Sequence, residues 1–209
     1  MPNKIKSFLE EVAGEKAPGP TPTFSVLHIL RTLELVAEKP IGRGKLAEEL
    51  KVGEGAARTI IKRLKQAGLL STSKMGCRLT SKGAKLWDEY RKIFSEKVEI
   101  ERNKLIHASY NFAILARNCG NKIKSGIEQR DAAVKVGAKG AAAIIFKEGR
   151  FIIPSVSIDA AKDFPNLTEH LIKIFKPKEN DVIVIGGADT PQVAEYGAMA
   201  ATWTLLDDC

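Results

Sequence analysis

No stretch of this chain approaches the ~18 consecutive apolar residues of a membrane span. The opening MPNKIKSFLEEVAG is interrupted by Glu10 and Glu11, which argues against a secretory signal. Cysteine is scarce. Cys77, Cys119 and Cys209 are an odd number at wide spacing with no CxxC, so spacing offers neither a disulfide framework nor a zinc site. They read as free thiols, with a redox-sensing Cys77 as the alternative. Histidine is as sparse: His28, His107 and His170 lie far apart, with no HExxH, GxSxG or Cys/His signature near them. Metal sensing would need several His, Cys or acid ligands in one neighbourhood, and none is gathered. Ser155, Ser157, Asp159 and His170 could be drawn into a hydrolase, but nothing selects them. The expectation is a cytoplasmic protein without metal, cofactor or catalytic centre.

What is present is charge of one sign in one place. The chain carries a net +8 over 209 residues. Between Lys39 and Lys92 fourteen Lys or Arg face five acids, a net of +9, which leaves −1 for everything else. Solubilising charge would be spread along the chain; a confined basic region is the footprint of a polyanion-binding module.

Periodicity supplies the elements. Ile5, Phe8, Leu9 and Val12 give a short amphipathic helix, followed by GEKAPGPTPT as a linker. Phe24 to Glu38 is helical until Pro40. PIGRG gives a short extended pair, and KLAEELKV a second helix with Leu46 and Leu50 inward. In GEGAARTIIKRLKQAGLL, at 100° per residue, Ala57, Ile60, Ile61, Leu64 and Ala67 share an arc of about 120°. Arg58, Thr59, Lys62, Arg63, Lys65 and Gln66 fill the opposite side, and Gly68 ends the helix. A hairpin follows, with strands near 69–74 and 77–79 and a turn at Met75-Gly76. Thr80 or Ser81 then caps a helix whose seam of Trp87, Tyr90, Phe94 and Val98 extends to about Asn103.

The order of helix, extended pair, helix, turn, helix, hairpin and helix is that of a helix-turn-helix with a β-hairpin behind it. From IGRGKLAEEL through STSKMGCRLTSKGAKL the sequence resembles the DNA-binding domain of winged-helix transcriptional regulators, over roughly residues 24–95. RLKQAGLL and LTSKG match the end of the recognition helix and the turn after the hairpin in that superfamily. The whole chain is similar to a family of archaeal two-domain proteins with an N-terminal winged helix. GIEQRDAAVKVGAKGAAAIIFKEGRFIIP and DVIVIGGADTPQVAEYGAMAATWTLL carry that likeness. It implies a regulator and assigns no ligand.

The C-terminal half reads as strand (107–118), helix, two strands joined at Glu148-Gly149, helix, strand and a final helix. That order suits an α+β fold: a two-layer, ferredoxin-like βαββαβ sandwich with a terminal helix. The expected division is 1–23 (N-terminal segment and linker), 24–95 (winged helix), 96–104 (connecting helix) and 105–209 (α+β).

Candidate DNA contacts follow from helix-turn-helix geometry, in which the start of the recognition helix reaches base edges. Arg58 suits direct readout, because guanidinium binds guanine bidentately. Gly55 permits close approach, and Thr59 could touch base or phosphate. Lys62, Arg63, Lys65, Arg43 and Lys45 suit phosphates, and Lys74 and Arg78 on the hairpin a flanking groove. The plain alternative is a solvated basic face. A second candidate is an anion site at VIVIGGADTPQ, where Gly186 and Gly187 precede Asp189 and the N-cap Thr190. Arg130 and Asp131 of EQRDAA are further candidate ligand groups; each set is otherwise a capped helix start or a surface ion pair. The reading is a DNA-binding transcriptional regulator that partners double-stranded DNA and no membrane. It forms a homodimer burying the aromatic seam, and its second domain senses a small anionic effector or drives oligomerisation. The rivals are a constitutive nucleic-acid-binding or assembly protein, and an enzyme in the C-terminal half.

Overall fold

The chain, seen in a computed structural model that describes residues 2–14, 22–95 and 97–206, divides into two compact units, Met1–Tyr90 and Arg91–Cys209. Most of the expected linker (15–21) and Cys209 lie outside the described residues.

The first unit opens with α1 (Pro2–Ala13), whose Ile5, Leu9 and Val12 are buried. It packs on α2 (Val26–Glu38) and α4 (Glu54–Gln66), so the N-terminal segment is part of this unit rather than a separate one. α2 ends where Lys39 turns extended ahead of Pro40, as the residue before proline must. α3 (Arg43–Leu50) and α4 follow, joined by a short turn. α4 buries Ala57, Ile60, Ile61 and Leu64, the expected stripe, while Ala67 at its end is half-exposed. Gly68 at φ +75 closes the helix, with the Leu69 N–H returning to the Leu64 carbonyl at 2.9 Å.

β1 (Leu70–Ser73) and β2 (Gly76–Leu79) pair antiparallel, Leu70 opposite Leu79 and Ser73 opposite Gly76. The two-residue turn is therefore Lys74-Met75, one residue earlier than expected. The extended pair expected at PIGRG is Ile41, which bridges Cys77 with N–H to O distances of 2.8 and 3.3 Å. Gly76 lies so close to it that a Cβ there would sit 2.6 Å from the Ile41 carbonyl, at a φ of +114 that side chains avoid.

α5 (Ser81–Ile93) begins where Thr80 Oγ1 accepts the Gly83 N–H at 3.0 Å. The helix does not continue to Asn103. Val98–Ile100 is a strand, β3, and none of the described residues 97–104 is helical, where a connecting helix was expected. Pairing decides this: Val98 sits opposite Ala113 and Ile100 opposite Asn111, and available backbone partners override a helical spacing. Trp87 and Tyr90 stack at 5.1 Å, and they and Phe94 are already buried within one chain. The seam therefore supplies no exposed face that calls for a dimer.

The second unit has the expected strand and helix order, with β3 and one short helix added. β4 (Tyr110–Ala116), α6 (Ile127–Lys135), β5 (Gly140–Lys147), β6 (Arg150–Ile152), α7 (Ala160–Asp163), α8 (Pro165–Phe175), β7 (Val182–Ala188) and α9 (Pro191–Trp203) follow in sequence. All sheet neighbours are antiparallel, in the order β3-β4-β7-β5-β6. β7, apolar throughout and wholly buried, is central, inserted between the strands of the β4-α6-β5 unit. Ile183 and Ile185 share a core with Leu167, Leu171 and Phe175 of α8. Gly186, on the opposite face, meets Ala198 of α9. The α+β class holds, but helices cover both faces, so the expected two layers are three: α6 and α9, the sheet, and α7 with α8. Both faces of VIVIGG are apolar, which is what a doubly covered strand requires.

Candidate nucleic-acid interface

α4 separates its two rows in space. Arg58, Lys62 and Lys65 are exposed, as are Gly55 and Gln66, and Thr59 is half-exposed. Nothing lies within 4 Å of where a Gly55 Cβ would be, so backbone there is open to approach. The Thr59 hydroxyl donates to the Gly55 carbonyl at 3.0 Å, which fixes the side chain along the helix.

α3 and the hairpin add further charge to this unit. Arg43, at the start of α3, and Arg58 line one depression of about 280 Å³ with Thr72, Ser73 and Gly76 of the hairpin. Arg43 also meets Glu54 at 3.5 Å, an exposed pair of small energetic value. Lys65 donates to Thr72 Oγ1 at 3.0 Å, tying α4 to β1. Lys74 and Arg78 are exposed on the hairpin, and Arg78 contacts Met75 Sδ at 3.3 Å. Met75 at the tip is 69% exposed. Lys45 stands on α3, paired with Glu48 and Glu49 at 3.2 and 3.3 Å, and its hydrogen bonds to them raise its pKa.

Arg63 departs from the expectation. Its guanidinium donates to the carbonyls of Val12, Ala13 and Gly14, at 2.7 Å for Ala13, and lies 5.0 Å over the Phe24 ring. It caps the C-terminus of α1 and is turned away from solvent. The helical wheel contained the reason: Arg63 falls about 240° from Ala57, beside Ala67 at about 280°, on the flank of the apolar stripe rather than opposite it.

In the second unit the expected anion site is filled. A Cβ on Gly186 would collide with the Ala198 backbone, and one on Gly187 would press on Ile106, Ala108 and Asn111. These glycines admit protein, not ligand. Thr190 caps α9, accepting the Val193 N–H at 3.4 Å, with Pro191 in the first turn. Asp189 pairs with Lys139 at 2.6 Å, and Asp131 with Arg130 at 3.0 Å. Arg130 and Lys139 nevertheless line a common cavity, which Asp131, Asp189 and Thr190 do not. Lys139 of that cavity has no signal in the sequence, and His107 reads there only as an isolated histidine, since only the strand pairing brings 107 and 139 near 130.

The thiols of Cys77 and Cys119 are buried, and burial raises both pKa values, which keeps them protonated and unreactive. Ser157 donates to Asp163 at 2.5 Å and receives the Asp159 N–H, so its hydroxyl serves the turn before α7. Among the described residues no group of His, Cys, Asp or Glu could hold a metal ion, and no helix is long and apolar enough to cross a membrane.

The geometry of the first unit is that of a DNA-binding module, and comparison with known families agrees. Residues 25–94 match the CggR N-terminal DNA binding domain. Residues 107–205 match a domain of unknown function, DUF4443. A solved structure of a hypothetical protein from Pyrococcus horikoshii OT3 is similar over 87% of this chain and 92% of its own, at 28% identity and a TM-score of 0.70. No curated protein matches the chain. The chain thus consists of a DNA-binding domain followed by a domain whose role its family does not state.

Proposed function

We propose that this chain is a sequence-specific transcriptional regulator, acting in the cytoplasm and without enzymatic activity, whose first unit is a winged helix. α4 enters the major groove, Arg58 reads a base edge, and Lys62 and Lys65 meet phosphates. Arg43, Lys74 and Arg78 extend the contact to either side, with the hairpin as the wing. The observation that carries the reading is the convergence of Arg58, Arg43 and the hairpin residues around one depression beside the exposed row of α4. The second unit serves as sensor or assembly domain, and two copies place two α4 helices about 34 Å apart on successive turns of DNA.

Duplex binding followed against salt tests this. Affinity should fall steeply as salt rises. Arg58→Ala should cost ~1–3 kcal/mol and relax preference at one base position, whereas Lys65→Ala should weaken all sequences alike and lower the salt slope by about 1. Salt-independent binding, or none to any duplex, overturns the reading. Sedimentation of the DNA complex as a single chain overturns the dimer.

A further inference from the structure

We propose that the second unit binds a small aliphatic carboxylate in the cavity between the N-terminus of α6 and the open edge of β5; the regulatory consequence rests on the reading of this unit as a sensor. The cavity is about 540 Å³, within the range of small-molecule sites. Its charge has one sign: Arg130 and Lys139 line it, and no acid does. Arg130 and Lys139 do have acidic neighbours, but those pairs are exposed, with side chains 48–66% accessible, and exposed pairs exchange cheaply for a better partner.

The backbone points the same way. β6 pairs only with Ile145 to Lys147 of β5, while β7 holds β5 from Gly140 onward. Alternate peptide groups along Gly140–Ala143 therefore face away from β7 into the cavity, with no strand opposite them. The α6 N-terminus closes another wall; its N-cap, Gly126, supplies no side chain, and of its first N–H groups that of Ile127 reaches the Ser125 hydroxyl at a long 3.4 Å. The remaining wall is apolar and unusually bare: Ile127 is 50% and Val156 62% exposed. The cationic end and the apolar slot select a carboxylate with an aliphatic body, and the β5 edge, which presents N–H and C=O groups alike, adds donors for it. Alanines at 141–143 leave it room.

Octanoate is the probe, titrated into the full chain by calorimetry and by amide chemical shifts, with octanamide as its uncharged counterpart. Saturable octanoate binding is expected, with octanamide at least about tenfold weaker. Shifts should centre on Ile127 and Ala141–Ala143. Arg130→Gln and Lys139→Gln should each weaken binding about tenfold. Val156→Glu, a surface change, should abolish binding with the fold intact by circular dichroism. No saturation, equal binding of octanamide, indifference to Arg130→Gln, or shifts centred on the separate cavity beside Phe164 and His170 each overturn the site. Duplex affinity measured with and without octanoate is the independent arm. A change supports the sensor reading; saturable octanoate binding with unchanged duplex affinity removes that reading and leaves the site.

Discussion

α4 and α9 are both thirteen residues long, and they treat their outward faces in opposite ways. α4 buries one stripe of four residues and leaves a row of cations in solvent. α9 is buried from Gly197 through Trp203 and contains no Lys or Arg. Its alanines and Gly197 let it lie directly on β7 and beside α6, where a Cβ on Gly197 would come within 2.7 Å of Ala138. Its one acid, Glu195, is mostly buried and meets Lys97 at 3.3 Å. The contrast shows where adaptability is kept: α4 can change its exposed residues without touching its core, and α9 has almost none to change.

That contrast can be broken by substitution. The largest effect should come from Gly186→Ala, which forces a methyl into the α9 backbone and should cost about 3 kcal/mol in denaturant unfolding of the second unit. A loss under about 0.5 kcal/mol would mean that α9 moves freely on β7. Next, Arg63→Ala strips the carbonyls at the end of α1 of their donor and should cost about 1.5 kcal/mol of stability. The salt slope of DNA binding should stay as it was; a slope lowered by about 1 would return Arg63 to the phosphate-binding row. Gly55→Ala, the same change as at 186 but in open space, should stabilise the first unit by about 0.5–1 kcal/mol while weakening DNA binding. Thermal melts and duplex titrations read the two signs separately.

The smallest effect concerns pH. Burial lowers the pKa of His28 from 6.5, and its Nδ1 accepts the Ser25 N–H at 3.1 Å at the start of α2. With the folded value depressed, the unfolded chain takes up the proton first. Stability is therefore full above about pH 6.5 and declines as pH falls through the folded value. His28→Gln should flatten that decline in urea midpoints compared between pH 7.5 and pH 5.

Much of the first unit was legible because its signals are local. The α4 stripe, Gly68 and the Thr80 cap each depend on residues a few positions apart. Arg63 was not, because its partners Val12 to Gly14 lie some fifty residues away. Val98–Ile100 failed for the same reason: its spacing fits a helix, and only β4 makes it a strand. At Gly186 and Gly187 the glycines were visible but their purpose was not. Close approach to a ligand and close approach to neighbouring protein require the same missing Cβ, and only the packing of Ala198 on Gly186 and of Ile106 on Gly187 distinguishes them. The cationic cavity was half visible, through Arg130 alone.

The base of the hairpin has a mechanical consequence. The Thr80 N–H returns to the Leu69 carbonyl at 3.0 Å, its hydroxyl to the Gly68 carbonyl at 2.6 Å, and the Lys82 ammonium to the Ala67 carbonyl at 2.9 Å. Gly83 lies against Leu69 with no space for a side chain, and Gly76 lies against Ile41. These fastenings run from the end of α4 to the start of α5, so the hairpin has no joint of its own. Helix and hairpin are fastened as one piece, like the jaw and handle of one tool, and under the proposed reading the gap between them is a fixed calibre that would gauge a stretch of duplex.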